Sequence, residues 1–235
     1  QARGVDFILI AGDLFDDNQV DRATRKRALE LLASAARPVY VIPGNHDPWT
    51  SDSVFAREPW TLAARDGVHV LTAPEPIDAP GGVLYPCPLI AKTSLDDPTR
   101  WIPPRAPGDD RIRIGLAHGS LRDREHLPPD DHLIDREIAQ AKGLDYVALG
   151  HWHGPYRHAS PDGICRTVYP GVHDPMRFRD APEFSIGWAA YSSAASGQLF
   201  ADDGQGRAML VTITGSGAAP RLEEILTRVL EWRDE

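Results

Sequence analysis

Two short apolar runs near the start of the chain constrain its fold most. Val5 to Ile10 ends in Ala11-Gly12-Asp13, and Val39 to Ile42 ends in Pro43-Gly44. Runs of this length, apolar at every position but Asp6 and closed by turn residues, predict strands buried on both faces. Between them, residues from about Asp21 to Ala36 fit a helix. Asp21 suits the N-cap, Ala28, Leu29, Leu32, Ala33 and Ala36 share one face, and Arg37-Pro38 ends it. Strand, helix, strand is a βαβ unit, so the sheet should be parallel and the class α/β.

The same punctuation recurs downstream. A helix is expected over Ser53 to Ala64 and a strand near Val68 to Leu71, with short strands and turns in the Pro- and Gly-rich stretch Thr72 to Pro88. Residues 96 to 110 read as a loop. Arg111 to Ala117 then reads as a strand that delivers His118, followed by a polar loop over 119 to 131 and a helix from about Leu133 to Ala141. Tyr146 to Leu149 is another buried strand, and it delivers Gly150-His151. Beyond residue 153 the pattern predicts strands alone, near 164 to 169, 184 to 192 and 207 to 214. The tail RLEEILTRVLEW fits helix and strand spacing equally.

Four strand ends therefore carry one kind of cargo: Gly12-Asp13, Gly44-Asn45-His46-Asp47, Ala117-His118 and Gly150-His151-Trp152-His153. Ligands of open α/β sheets sit beyond the carboxyl ends of strands, so these groups should converge. Each has an ordinary reading by itself. Gly-Asp is a turn, Asn-His-Asp after Pro-Gly is turn chemistry, and a single histidine is a core residue. Their joint occurrence at successive strand termini points to a metal centre. Asp, Asn and His are hard-to-borderline donors suited to Mn²⁺, Fe²⁺ or Zn²⁺, and two such ions activate water for phosphoryl displacement. His69, His126, His132 and His158 lack this context and read as surface or structural residues, as does His173 beside a turn.

Composition narrows the class. A net charge of −9 argues against a broad nucleic-acid footprint, and Arg22 to Arg27 reads as a solvated helix face. Cys87 and Cys165 are too few for a disulfide scaffold and read as buried thiols of a reducing compartment, with the cytoplasm as expected location.

Jointly, GDLFD (Gly12 to Asp16), GNHD (Gly44 to Asp47), the isolated His118 and GHWH (Gly150 to His153) resemble the calcineurin-like metallophosphoesterases over about residues 5 to 175. GDLFD and YPGVHDPMRF (Tyr169 to Phe178) look most like the SbcD-like DNA repair exonuclease branch, which usually carries a different pair at Val172-His173. The resemblance implies a four-layer αββα sandwich of two mixed sheets flanked by helices. It implies two divalent ions, Mn²⁺ first, with Asp13 bridging, Asn45, His118 and His151 on the second ion, and His153 on the first. It implies His46 beside the leaving group with Asp47 orienting its imidazole, and Asp16 supporting the loop. The substrate implied is DNA or a nucleotide phosphodiester; a homodimer and an ATPase partner follow from the family alone.

One departure stands out. The family's Asp-x-His motif is not found before Asp13, where only twelve residues stand. The expectation is a domain over 1–217 whose first strand and motif lie upstream of Gln1, with 218–235 leading toward a capping region. Two alternatives stay open: a phosphoesterase for small nucleotides, and a catalytically incomplete metal-binding scaffold.

Overall fold

The computed structural model describes residues 4–122, 131–173 and 206–227. The first βαβ unit forms as its pattern requires. β1 (Ile8–Ala11) and β2 (Val39–Ile42) pair in parallel, Ile8 opposite Val39 and Ala11 opposite Ile42. Between them α1 (Arg22–Ala33) starts at Asp21, whose carboxylate accepts from the backbone N–H of Ala23 and Thr24. It stops before Ala36, which has a left-handed φ of 52°.

The helix expected over Ser53 to Ala64 is instead two 3₁₀ pieces, Val54–Ala56 and Trp60–Asp66. Pro59 accounts for the break: it has no N–H to donate and disfavours helical backbone in the residue before it. β3 (Val68–Val70) then joins β2 in parallel and completes a three-stranded sheet in the order β1-β2-β3.

β4 (Ile77–Ala79) and β5 (Gly82–Cys87) form a hairpin, and β6 (Ile112–His118) lies parallel to β5. Two short strands, β7 (Leu121–Arg122) and β8 (Ile134–Asp135), pair with each other. That pairing takes the start of the helix expected from Leu133, and α2 is confined to Ile138–Lys142. β9 (Tyr146–Gly150) lies parallel to β6, followed by β10 (Tyr156–Ala159) and β11 (Cys165–Tyr169). The second sheet has the order β10-β11-β9-β6-β5-β4 and mixed direction. β12 (Arg207–Thr212) and β13 (Arg221–Leu226) form a separate antiparallel pair that runs across residues 217 and 218. The tail's start is thus strand, and the run expected over 184 to 192 lies outside the described residues.

Period-two alternation shows how the layers stack. Val39 and Val41 face Leu29, Phe55 and Trp60, while Tyr40 and Ile42 face Leu84, Ile114 and Leu116 of the second sheet. On that sheet Tyr146 and Val168 turn inward, whereas Val147, Leu149 and Tyr169 face Ile138 and Ala139 of α2. The protein is a mixed α/β fold of two face-packed sheets with helical segments outside both. Cys87 is buried, Cys165 half-buried, and both are free thiols. Among the described residues no helix is long and apolar enough to cross a membrane.

Candidate metal centre

Gly12-Asp13 follows β1, Gly44-Asn45-His46-Asp47 follows β2, His118 ends β6, and His151 follows β9. All are carboxyl ends, and the two sheets bring them together. His118 is fully buried, and its Nδ1 lies 2.7 Å from the Ala11 carbonyl of the facing sheet. A carbonyl only accepts, so Nδ1 carries a hydrogen, and in the neutral ring Nε2 presents a lone pair. That Nε2 lies 2.7 Å from Asn45 Oδ1 and 3.2 Å from Asp13 Oδ2. Asn45 Oδ1 is also 3.1 Å from His151 Nδ1.

Lone pairs facing at these distances repel unless a positive charge, a proton or a cation, stands among them. Donor atoms at about 2.1 Å from one ion and at right angles are about 3 Å apart, the spacing seen here. Asp13, Asn45, His118 and His151 therefore fit a divalent ion in both donor chemistry and spacing. Among the described residues no group of three or more His, Cys, Asp or Glu side chains is spaced as an ion site.

Backbone strain marks the same residues. Asp13 and His151 hold positive φ, 52° and 106°, an uncommon region for side chains other than glycine that costs about 1–3 kcal/mol. Close approach is just as restrictive at Gly150, where a Cβ would stand 1.9 Å from the Ala11 oxygen and 2.8 Å from His118 Nδ1. Burial alone would raise the Asp13 carboxyl. With a proton on Nε2 as well, the hydrogen bond and charge of His118, together with the His46 backbone N–H at 2.9 Å, outweigh it and hold the group below its usual value.

Asp47 does not take the role expected of it. Its carboxylate is fully buried and accepts backbone N–H groups from Gly44 at 2.7 Å, Phe15 at 3.0 Å and Asp13 at 3.2 Å. It ties the Gly12–Phe15 turn to the Gly44–Asp47 turn, and among the described residues no hydrogen bond joins it to the His46 ring. Burial pushes its carboxyl upward, against the pull of the Gly44 and Phe15 N–H groups and with the Asp13 charge adding to the rise. The His46 imidazole is held by Asp16 instead, through the backbone carbonyl at 2.9 Å and the carboxylate at 3.5 Å. The spacing of GDLFD carries this pairing, because the turn that aims Asp13 also lays Asp16 beside the second loop.

His153 is exposed, and among the described residues no hydrogen bond or ion pair joins its side chain to the other four. His132 and His158 are buried structural residues, His158 bonded to Glu137 at 2.9 Å. His126 lies outside the described residues.

Comparison with known proteins supplies the context. A family model for calcineurin-like phosphoesterase matches residues 1–155. An uncharacterized metallophosphoesterase, YhaO, of Bacillus subtilis is 30% identical over 178 residues, 71% of this chain and 41% of that protein. The DNA double-strand break repair protein Mre11 of Aeropyrum pernix is 27% identical over 199 residues, covering 74% of this chain and 45% of its own length. Mre11 of Saccharolobus solfataricus is 27% identical over 177 residues with the same coverage. The chain spans less than half the length of these relatives.

Proposed function

The chain belongs to the calcineurin-like phosphoesterase family, and from that premise we propose that it is a metal-dependent phosphodiesterase acting on DNA, as an exonuclease in repair. One observation carries the reading: Asp13 Oδ2 and Asn45 Oδ1 both lie within 3.2 Å of His118 Nε2 at the strand ends, with His151 against the same amide oxygen. Likeness to two repair proteins named Mre11 supports DNA as the substrate.

Divalent ions, Mn²⁺ first, supply an activated water and neutralise phosphoryl charge when bound there. Asp13, Asn45, His118 and His151 would hold them. The Ala11 carbonyl fixes the His118 tautomer, so Nε2 stays the ligating atom. Asp47 holds both loops in register from below. His46 is the proton-handling group: Asp16 occupies its Nδ1, which leaves Nε2 to exchange a proton with the leaving oxygen. Its side chain is 43% exposed, open to a polymer.

The test is Mn²⁺-dependent hydrolysis of bis(p-nitrophenyl) phosphate by the full-length protein, beside linear DNA and small nucleotides. Cleavage of the simple diester that survives Asp13→Asn or His151→Ala overturns the assignment. Turnover of nucleotides but not of DNA replaces the substrate. The acidic net charge of −9 is what favours that second reading.

A further inference from the structure

After β5 the chain does not leave the site. Leu89 donates its N–H to the Pro43 carbonyl at 3.1 Å and accepts the Trp49 N–H at 2.7 Å. It thereby brackets the Gly44–Pro48 loop that carries Asn45 and His46. Five residues on, the Ser94 carbonyl accepts the backbone N–H of His132 at 2.6 Å, and the Lys92 carbonyl lies 3.3 Å from His132 Nε2. His132 itself is buried, its carbonyl packed where a Cβ on Gly119 would collide, directly after His118. Residues 89 to 94 therefore form an arch pinned at one foot beside His46 and at the other beside His118.

What the arch presents is unusual for so well-fixed a loop. Ile90 is 71% exposed and Leu95, just past the second foot, is 72% exposed. Lys92 and Thr93 between them are exposed, and the Lys92 ammonium forms no ion pair among the described residues. Packing explains neither the aliphatic side chains nor the unpaired cation. An acidic protein that takes a polyanion needs its positive charge placed locally, at the reacting end.

We infer that the arch is a strand-positioning element, with Ile90 packing against a base next to the scissile phosphate and Lys92 facing a neighbouring phosphate. The inference rests on the DNA reading above. The occupant is DNA rather than a second copy of the chain because an unpaired ammonium stands between the two aliphatic side chains and the arch is continuous with the loop that carries His46. Apolar side chains pushed against base faces hold an end of a strand without reading its sequence. A small phosphodiester has no neighbouring phosphate for Lys92 to face.

The experiment uses the full-length, Mn²⁺-loaded protein with Ile90→Ser and Lys92→Gln, both on exposed side chains. Each variant should raise KM for linear DNA about tenfold and leave turnover of bis(p-nitrophenyl) phosphate unchanged. Lys92→Gln should also lower the slope of log affinity against log salt by about one. Anisotropy of a labelled oligodeoxynucleotide reads the same contacts where no cleavage occurs. Unaltered DNA binding in both variants overturns the inference, as does equal loss on DNA and the small diester. A change of oligomeric state in light scattering with Ile90→Ser assigns the arch to a second copy and overturns it too. Failure of the wild-type protein on the small diester, by contrast, counts against the metallophosphoesterase reading and leaves the binding measurement to judge the arch.

Discussion

The His46 ring is held at Nδ1 by the backbone carbonyl of Asp16, 2.9 Å away, while the Asp16 carboxylate stands at 3.5 Å and is 99% exposed. A main-chain acceptor therefore sets the ring, and the side chain adds only a screened charge. Asp16→Asn should cost less than about tenfold in kcat, whereas His46→Ala should cost about 10²–10⁴. Steady-state rates on one phosphodiester check both. Equal losses would show that the carboxylate does the orienting.

Asp47→Ala should act on stability before it acts on chemistry. It strips the acceptor from the Gly44, Phe15 and Asp13 N–H groups. A buried donor left without a partner costs about 1–3 kcal/mol, so the total should be about 3 kcal/mol or more. Urea unfolding of the chelated protein measures it, free of any contribution from bound metal.

Gly150→Ala should separate the sheets where they meet. The added methyl would sit 1.9 Å from the Ala11 oxygen, and neither backbone can yield without moving its strand. Overpacking of this kind costs about 1–3 kcal/mol. The expected signature is a lower melting temperature, together with loss of the rise that Mn²⁺ should give the wild-type protein if it binds at the proposed centre.

Half-buried Asp13 and buried Asp47 should tilt the acid limb in opposite directions. Asp13 titrates below its unfolded value. Its contribution is present above about pH 3.9 and is lost as the pH falls through the folded pKa. Asp47 titrates above its unfolded value, so its contribution is present below that value and is lost as the pH rises through the folded pKa. In chelated protein, Asp13→Asn should flatten the loss of stability on acidification and Asp47→Asn should steepen it. Urea midpoints taken between about pH 3 and 6 test the pair.

The chain's order of strands and the convergence of Asp13, Asn45, His118 and His151 were legible because each side chain follows an apolar run, where period-two burial ends and loops begin. Elements that depend on distant partners were not. Ile134–Asp135 left the expected helix to pair with Leu121–Arg122. Arg221–Leu226 settled as strand because β12 lies beside it, which its own spacing could not decide. β10 was missed since Tyr156–Ala159 lacks an apolar run and is held by its register with β11. The exchange of roles between Asp16 and Asp47 has the same origin. Which carboxylate meets a ring and which meets backbone N–H groups depends on how two turns, 30 residues apart in the chain, lie across one another.

The contact from His118 Nδ1 to the Ala11 carbonyl crosses from one sheet to the other. It makes the spacing of the layers a variable of the proposed ligand set. Ile42 and Leu116, fully buried between the sheets, act as shims beneath it. Removing one methylene from that layer would change how closely His118 Nε2 approaches Asp13 and Asn45, with no ligand altered. Metal preference at the proposed centre would thus be exposed to substitution deep in an apolar layer, where no search for ligands would look.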